Sequence, residues 1–242
     1  MRSLLTIITV LLFYLPISAE TFVMCVGIAD YLDPKVEDLD KTENDAADIS
    51  SFFRKGTTNV VTLYGRNATK NNILTALKRY SDKTQSGDKI IFYFSGHGYP
   101  GGFCPYDMTR LSEGLTYSEV VGVLKSSKAT ERIIFADACN SGAIRHKKKT
   151  ENPEPGNVMF FLSSRGSERS IESKMMRNGF FTRNLLRGLG GCADIDRNLK
   201  ITASELFRYV SNGVKYDSRD AQHPVMWGNF DDDMVIVEYK RR

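Results

Sequence analysis

Five short apolar runs constrain this chain more than any other feature: 22–29, 60–64, 89–94, 132–136 and 158–162, for example Phe22-Val23-Met24-Cys25-Val26-Gly27-Ile28-Ala29. Each is too short for a packed helix and too continuously apolar for a strand with one wet face, so each predicts a strand covered on both sides. Helical patterns lie between them. Residues 43–55 put Ala46, Ala47, Ile49, Phe52 and Phe53 on one side, and residues 70–80 do the same with Ile73, Leu74 and Leu77. Thr69 is placed to cap the second helix, and Thr116 to open a third that ends near Leu124. Strands alternating with helices predict an α/β fold: a mostly parallel sheet of about six strands with helices on both faces. Composition supplies the core this needs. With 242 residues, 41% hydrophobic and 26% charged, the chain is neither collagen-like, disordered nor a multi-span membrane protein. A net charge of +4 is too slight for a nucleic-acid partner to be expected, and four cysteines are too few for a disulfide-built scaffold.

Residues 1–19 read as a secretory leader. Arg2 supplies the positive start, Leu4 to Leu15 the apolar run, and Pro16-Ile17-Ser18-Ala19 a small residue at which to cut. A buried first strand is the competing reading; Pro16 interrupts it. Cleavage after Ala19 would make the protein secreted or periplasmic, with no membrane span left. Residues 20–242 are then expected to form one domain, divided by an exposed loop at 145–157 into a front part, 20–144, and a back part, 158–242. That loop runs from Arg145 through Lys147, Lys148 and Lys149 to two prolines and a glycine, which no packed element accommodates. The back part reads as a strand, a helix near 179–190, a capped helix near 203–213 and a last strand, Met234 to Tyr239, suited to an exposed edge.

In open α/β sheets, chemistry gathers at the carboxyl ends of the strands. The third strand ends in Ser95-Gly96-His97-Gly98, the fourth in Asp137-Ala138-Cys139-Asn140-Ser141-Gly142. If both point the same way, His97 and Cys139 share one rim. An imidazole beside a thiol shifts it toward the reactive thiolate and supplies a proton to a departing amine. The amides of Gly98 and Cys139 are free to face a developing oxyanion. A lone Gly-His-Gly or a lone buried Cys would be unremarkable; both at strand ends make a candidate catalytic pair.

With these motifs the chain resembles the caspase and metacaspase-like cysteine peptidases, whose Cys sits in a Gln-Ala-Cys or Asp-Ala-Cys context with the His roughly 50 residues upstream. The resemblance also includes the opening strand, Asn44-Asp45-Ala46, the Ser163-Ser164 stretch and Gly179-Phe180-Phe181-Thr182. It implies a caspase-like three-layer sandwich, His97 as general base and acid, and Cys139 as nucleophile. Asn140 departs from the family, where His is common. Caspases that cut after aspartate carry Gln at the position of Asp137. In metacaspases an Asp there joins a second from the early helix, matched here by Asp45, to hold Arg or Lys. The resemblance thus implies a cysteine endopeptidase acting on peptides or proteins after Arg or Lys, with Ser164 lining the cleft; Glu168 and Glu172 nearby are read by default as a polar loop, with added acidity the alternative. It also makes Arg145, Lys147, Lys148 and Lys149 candidates for self-cleavage. The alternative from another class is a non-catalytic adaptor that keeps the fold without turnover.

Other signals are weaker. Residues 194–205 match a calcium loop at positions one, three, five and twelve, but Leu199 stands where the sharp turn wants Gly, and Thr202 with Glu205 is also a capping box. No cofactor or metal site is therefore expected, although calcium activation through other acidic groups is common in metacaspases. A zinc set of His97, Cys104 and Cys139 has no close ligand pair behind it, and no phosphate loop follows the first strand. Oligomeric state is not legible.

Overall fold

A computed structural model describes residues 19–138, 158–164 and 176–240. Residues 1–18, nearly all of the expected leader 1–19, lie outside the described residues. So do Cys139 and the whole loop through residue 157, including Arg145, Lys147, Lys148 and Lys149, and also Glu168 and Glu172.

The apolar runs form strands that share one sheet. These are β1 (Thr21–Gly27), β2 (Val60–Tyr64), β3 (Lys89–Gly96), β7 (Glu131–Ala138) and β8 (Val158–Leu162), all parallel, with β10 (Val225–Gly228) antiparallel at one edge. Their order is β10-β8-β7-β3-β1-β2. Because side chains alternate along a strand, each run feeds two cores. Phe22, Met24, Phe92, Phe94, Ile134 and Phe160 face α2 (Lys70–Ser81) and α3 (Tyr117–Lys125). Val23, Cys25, Ile91, Tyr93, Phe135 and Phe161 face α1 (Thr42–Phe53), α4 (Phe180–Arg187) and α5 (Ala203–Asp217). The result is helices, sheet, helices in three layers. The expected caps hold: the Thr69 hydroxyl accepts from Asn72 N–H at 3.2 Å, and Thr116 and Thr202 form capping boxes with Glu119 and Glu205.

The sixth strand is not the one expected. Residues 234–239 contribute β11 (Val235–Glu238), which leaves the main sheet to pair antiparallel with β9 (Lys200–Thr202). The sheet edge is taken instead by the four residues of β10, with the Trp227 ring stacked on Phe160 at 4.0 Å. A four-residue edge strand after a proline carries too little apolar pattern to be seen. Three short strands, β4 (Gly98–Tyr99), β5 (Gly102–Phe103) and β6 (Leu115–Thr116), form a separate small sheet directly after His97.

α1 packs on the end of β1 with no room to spare. A Cβ on Gly27 would lie 2.5 Å from the Thr42 carbonyl oxygen and 2.9 Å from both Ala46 Cβ and Glu43 Cα. Two of those contacts are backbone, so Gly27→Ala is expected to lower stability by about 1–3 kcal/mol, read from the urea midpoint.

Candidate active site

β3 and β7 end level. They pair from Lys89 opposite Glu131 to Gly96 opposite Ala138, which sets Ser95 beside Asp137. His97 follows Gly96 directly, and the residue that follows Ala138 is Cys139.

His97 is held by the segment between β1 and α1. Its backbone N–H donates to the Tyr31 hydroxyl at 2.7 Å, and its ring lies 5.1 Å from the Tyr31 ring. Nε2 is 2.7 Å from the carbonyl oxygen of Glu37. A carbonyl only accepts, so in the neutral ring Nε2 carries the proton and Nδ1 is the basic atom. Neither Tyr31 nor Glu37 stands out in the sequence. Glu37 acts through its main chain, which leaves no signal in the side chain.

The Gly98 N–H is left open by the strand that follows His97. Cys104 N–H donates to the His97 carbonyl at 2.9 Å, which makes Gly98 and Phe103 a non-hydrogen-bonded pair. The Gly98 N–H therefore turns away from β5, and β4 is the open edge of that small sheet.

The two aspartates meet. Strand alternation puts Ser95 and Asp137 on the same side as Tyr93 and Phe135, beneath α1 and α4. Asp45, in the first turn of α1, is 2% exposed and Asp137 is 7% exposed. Ser95 Oγ donates to Asp45 Oδ2 at 3.0 Å, and Gly179 N–H to Asp45 Oδ1 at 3.1 Å. Asp137 Oδ2 accepts from Thr182 N–H at 3.2 Å and Thr182 Oγ1 at 2.8 Å, and Thr182 Oγ1 is 2.6 Å from the Tyr93 hydroxyl. Gly179 sits between the acids: a Cβ there would be 2.7 Å from Asp137 Oδ2 and 3.5 Å from Asp45 Oδ2. Only glycine lets the chain pass between them. Thr182 and Gly179 are positioning residues at the start of α4 whose contribution to the acidic pair the sequence did not reveal.

Burial, and then the neighbouring Asp137 charge, push the Asp45 carboxyl well above the usual carboxylate range. The folded value lies above the unfolded one, so stability is highest below the unfolded value and is lost as pH rises through the folded one. Asp45→Asn removes that loss. It is expected to raise the urea midpoint at neutral pH and leave it unchanged at low pH, where Asp45 is already protonated. Urea titrations across the acid range check this.

Ser164 is fully buried, its Oγ 3.5 Å from the Ala138 carbonyl oxygen. Beside it, Ser163 Oγ accepts from Ala138 N–H at 3.1 Å, and Gln222 Nε2 donates to the Ser163 carbonyl at 2.9 Å. The pair thus ties the end of β8 to the last described residue of β7. Cys25 is entirely buried in β1, and burial pushes its thiol far up, so it is inert. The loop from Asp194 does make the turn that Leu199 argued against, with Leu199 at φ +69°. Oxygens of Asp194, Asp196 and Glu205 approach within 4.8 Å of one another and accept from the amides of Ile195, Asn198, Leu199 and Thr202.

A largely parallel sheet that delivers His97 and an Asp-Ala strand end to one rim, over a buried acidic pair, defines a caspase-like fold. The chain belongs to the caspase domain family, whose sequence model matches residues 21–235. A protein of a Desulfuromonadales bacterium named as a "Probable protease" is 26% identical over 176 residues, covering 61% of this chain. The chain spans 22% of the length of that relative. Two crystal or solved structures share the fold. A Geobacter sulfurreducens protein superposes with a TM-score of 0.65 at 18% identity, covering 86% of this chain and 92% of its own. The structure of pro-sf-caspase-1 superposes with a TM-score of 0.65 at 11% identity, covering 90% of this chain and 89% of its own. The family is one of cysteine peptidases acting on peptides or proteins.

Proposed function

We propose that this chain is a secreted or periplasmic cysteine endopeptidase that cuts after Arg or Lys, with residues 20–242 as its peptidase domain. In the reaction, His97 takes the proton of the Cys139 thiol and the thiolate attacks the carbonyl carbon after the basic residue. The amides of Gly98 and Cys139 hold the oxyanion. Collapse breaks the peptide bond, the leaving amine takes the proton from His97, and water then hydrolyses the thioester.

The observation that carries the specificity is the buried meeting of Asp45 and Asp137. Two carboxylates brought together out of water form a strongly negative site, which a guanidinium or ammonium from substrate would complement. The same pocket repels an acidic side chain. An active-site thiol probe, together with Arg-ending and Asp-ending fluorogenic peptides, tests the reading. Labelling and Arg cleavage that both vanish in Cys139→Ala support it; labelling without peptide cleavage sinks it.

Specificity should carry its own pH signature. Because the Asp45 carboxyl is raised well above the carboxylate range, it must ionise before the pocket attracts a cation fully. The kcat/KM on an Arg peptide is therefore expected to rise with pH along an acid limb that includes the Asp45 ionisation, and Asp45→Asn to remove that ionisation from the limb. A pH profile of both proteins reads this directly.

The loop residues Arg145, Lys147, Lys148 and Lys149 are residue types this pocket would accept, so self-cleavage there accompanies the proposal. The intact mass of purified protein should show two fragments in the wild type and one chain in Cys139→Ala.

A further inference from the structure

Asp88 is a buried carboxylate at the opposite rim of the sheet from His97, where the peptidase chemistry makes no use of it. It ends the turn before β3 and is 3% exposed. Its Oδ2 accepts from Gln85 N–H at 2.7 Å and its Oδ1 from the main-chain nitrogen of Glu20 at 2.8 Å. Among the described residues no Lys, Arg or His forms an ion pair with it. The adjacent Lys89 is committed elsewhere, its Nζ lying 3.1 Å from Glu131 Oε2 and bonded to the carbonyls of Val235 and Ile236. Buried carboxylates are costly without a cation.

Glu20 is pinned on every side. Its carbonyl accepts from Lys89 N–H at 2.9 Å and its side chain from Asn59 Nδ2 at 2.8 Å. Both Ala19 and Glu20 are exposed, and Ala19 lines a cavity of about 810 Å³ with residues of β11. Ala19 is also the small residue at which the leader reading places the cut.

We propose that hydrolysis of the Ala19–Glu20 bond, by a leader peptidase that cuts after small residues, creates an α-ammonium at the atom Asp88 already contacts, and that Asp88 is the binding site for this new terminus. Water adds across the C–N bond: its oxygen stays on the Ala19 carbonyl carbon, which leaves as carboxylate, and both of its protons end on the nitrogen of Glu20, which goes from amide N–H to ammonium. The cut turns a neutral amide donor into a cationic one facing a buried carboxylate, so a hydrogen bond to one charge becomes an ion pair. The leader's removal thereby locks β1 to the turn before β3. A cut one residue away would displace the amine by about 3.3 Å and lose the pair.

The test is secretion of the full chain from a host that removes leaders, followed by amino-terminal sequencing and timed acylation of the terminal amine under native conditions. The expected terminus is Glu20, with acylation roughly tenfold slower than in Asp88→Asn, since a tenfold protection corresponds to about 1.4 kcal/mol of pairing. A second variant, with one glycine inserted between Ala19 and Glu20 and retained after cleavage, should lose the protection while keeping Asp88, so the result stands even if Asp88→Asn does not fold. Retention of the leader, a terminus other than Glu20, or equal acylation rates in wild type and variants would overturn the proposal.

Discussion

Alanine in place of His97 is expected to lower kcat for an Arg-ending peptide by about 10²–10⁴-fold, the range of a positioned general acid and base. The Glu37 carbonyl fixes the proton on Nε2 and leaves Nδ1 to take one, so the ring is set as a base before any substrate arrives. Without it the thiol must ionise unaided near its ordinary value of about 8.5, and the leaving amine has no acid. Stability should change little, because His97 lies at the rim rather than in either core. Tyr31→Phe isolates positioning from chemistry: it removes the hydroxyl that accepts the His97 N–H, and is expected to reduce kcat by a smaller factor without abolishing thiol labelling. Single-turnover assays with matched unfolding curves separate these effects.

Asp137→Asn is expected to lower kcat/KM on Arg peptides by about 30-fold or more, because losing one partner of a buried charge pair costs about 2–5 kcal/mol. The substitution keeps the volume and an oxygen for the two donors of Thr182, so the change is in charge. Asp45→Asn should weaken Arg recognition in the same direction while stabilising the fold at neutral pH. Opposite effects on activity and stability at one residue are what a binding site held at a cost to the fold produces. A purely structural carboxylate would lose both together. Steady-state kinetics on Arg and neutral peptides, beside urea titrations, distinguishes the two.

The sheet was legible because its five parallel strands are buried on both faces, and a run such as Phe22 to Ala29 has no other comfortable state. What escaped was polar, short or main-chain. Val225–Gly228 is a four-residue edge strand, while Met234 to Tyr239, more strand-like in pattern, pairs with a three-residue strand away from the sheet. The meeting of Asp45 and Asp137 was implied by resemblance, and strand parity explains it: Asp137 is two residues on from Phe135 and so faces α1. The Glu37 carbonyl, the Thr182 hydroxyl and the passage of Gly179 between the acids are consequences of how loops and α4 return to the sheet, and no periodicity encodes them. Leu199 shows the converse, a residue type that argued against a turn its backbone nevertheless makes.

The most direct measurement compares kcat/KM for two peptides differing only in whether Arg or its uncharged, near-isosteric analogue citrulline precedes the scissile bond, under reducing conditions with calcium supplied. If the Asp45–Asp137 pair receives the basic side chain, Arg is preferred by about 100-fold or more, and the preference collapses in Asp137→Asn. Equal rates for the two peptides, or faster cleavage after aspartate, would contradict the account.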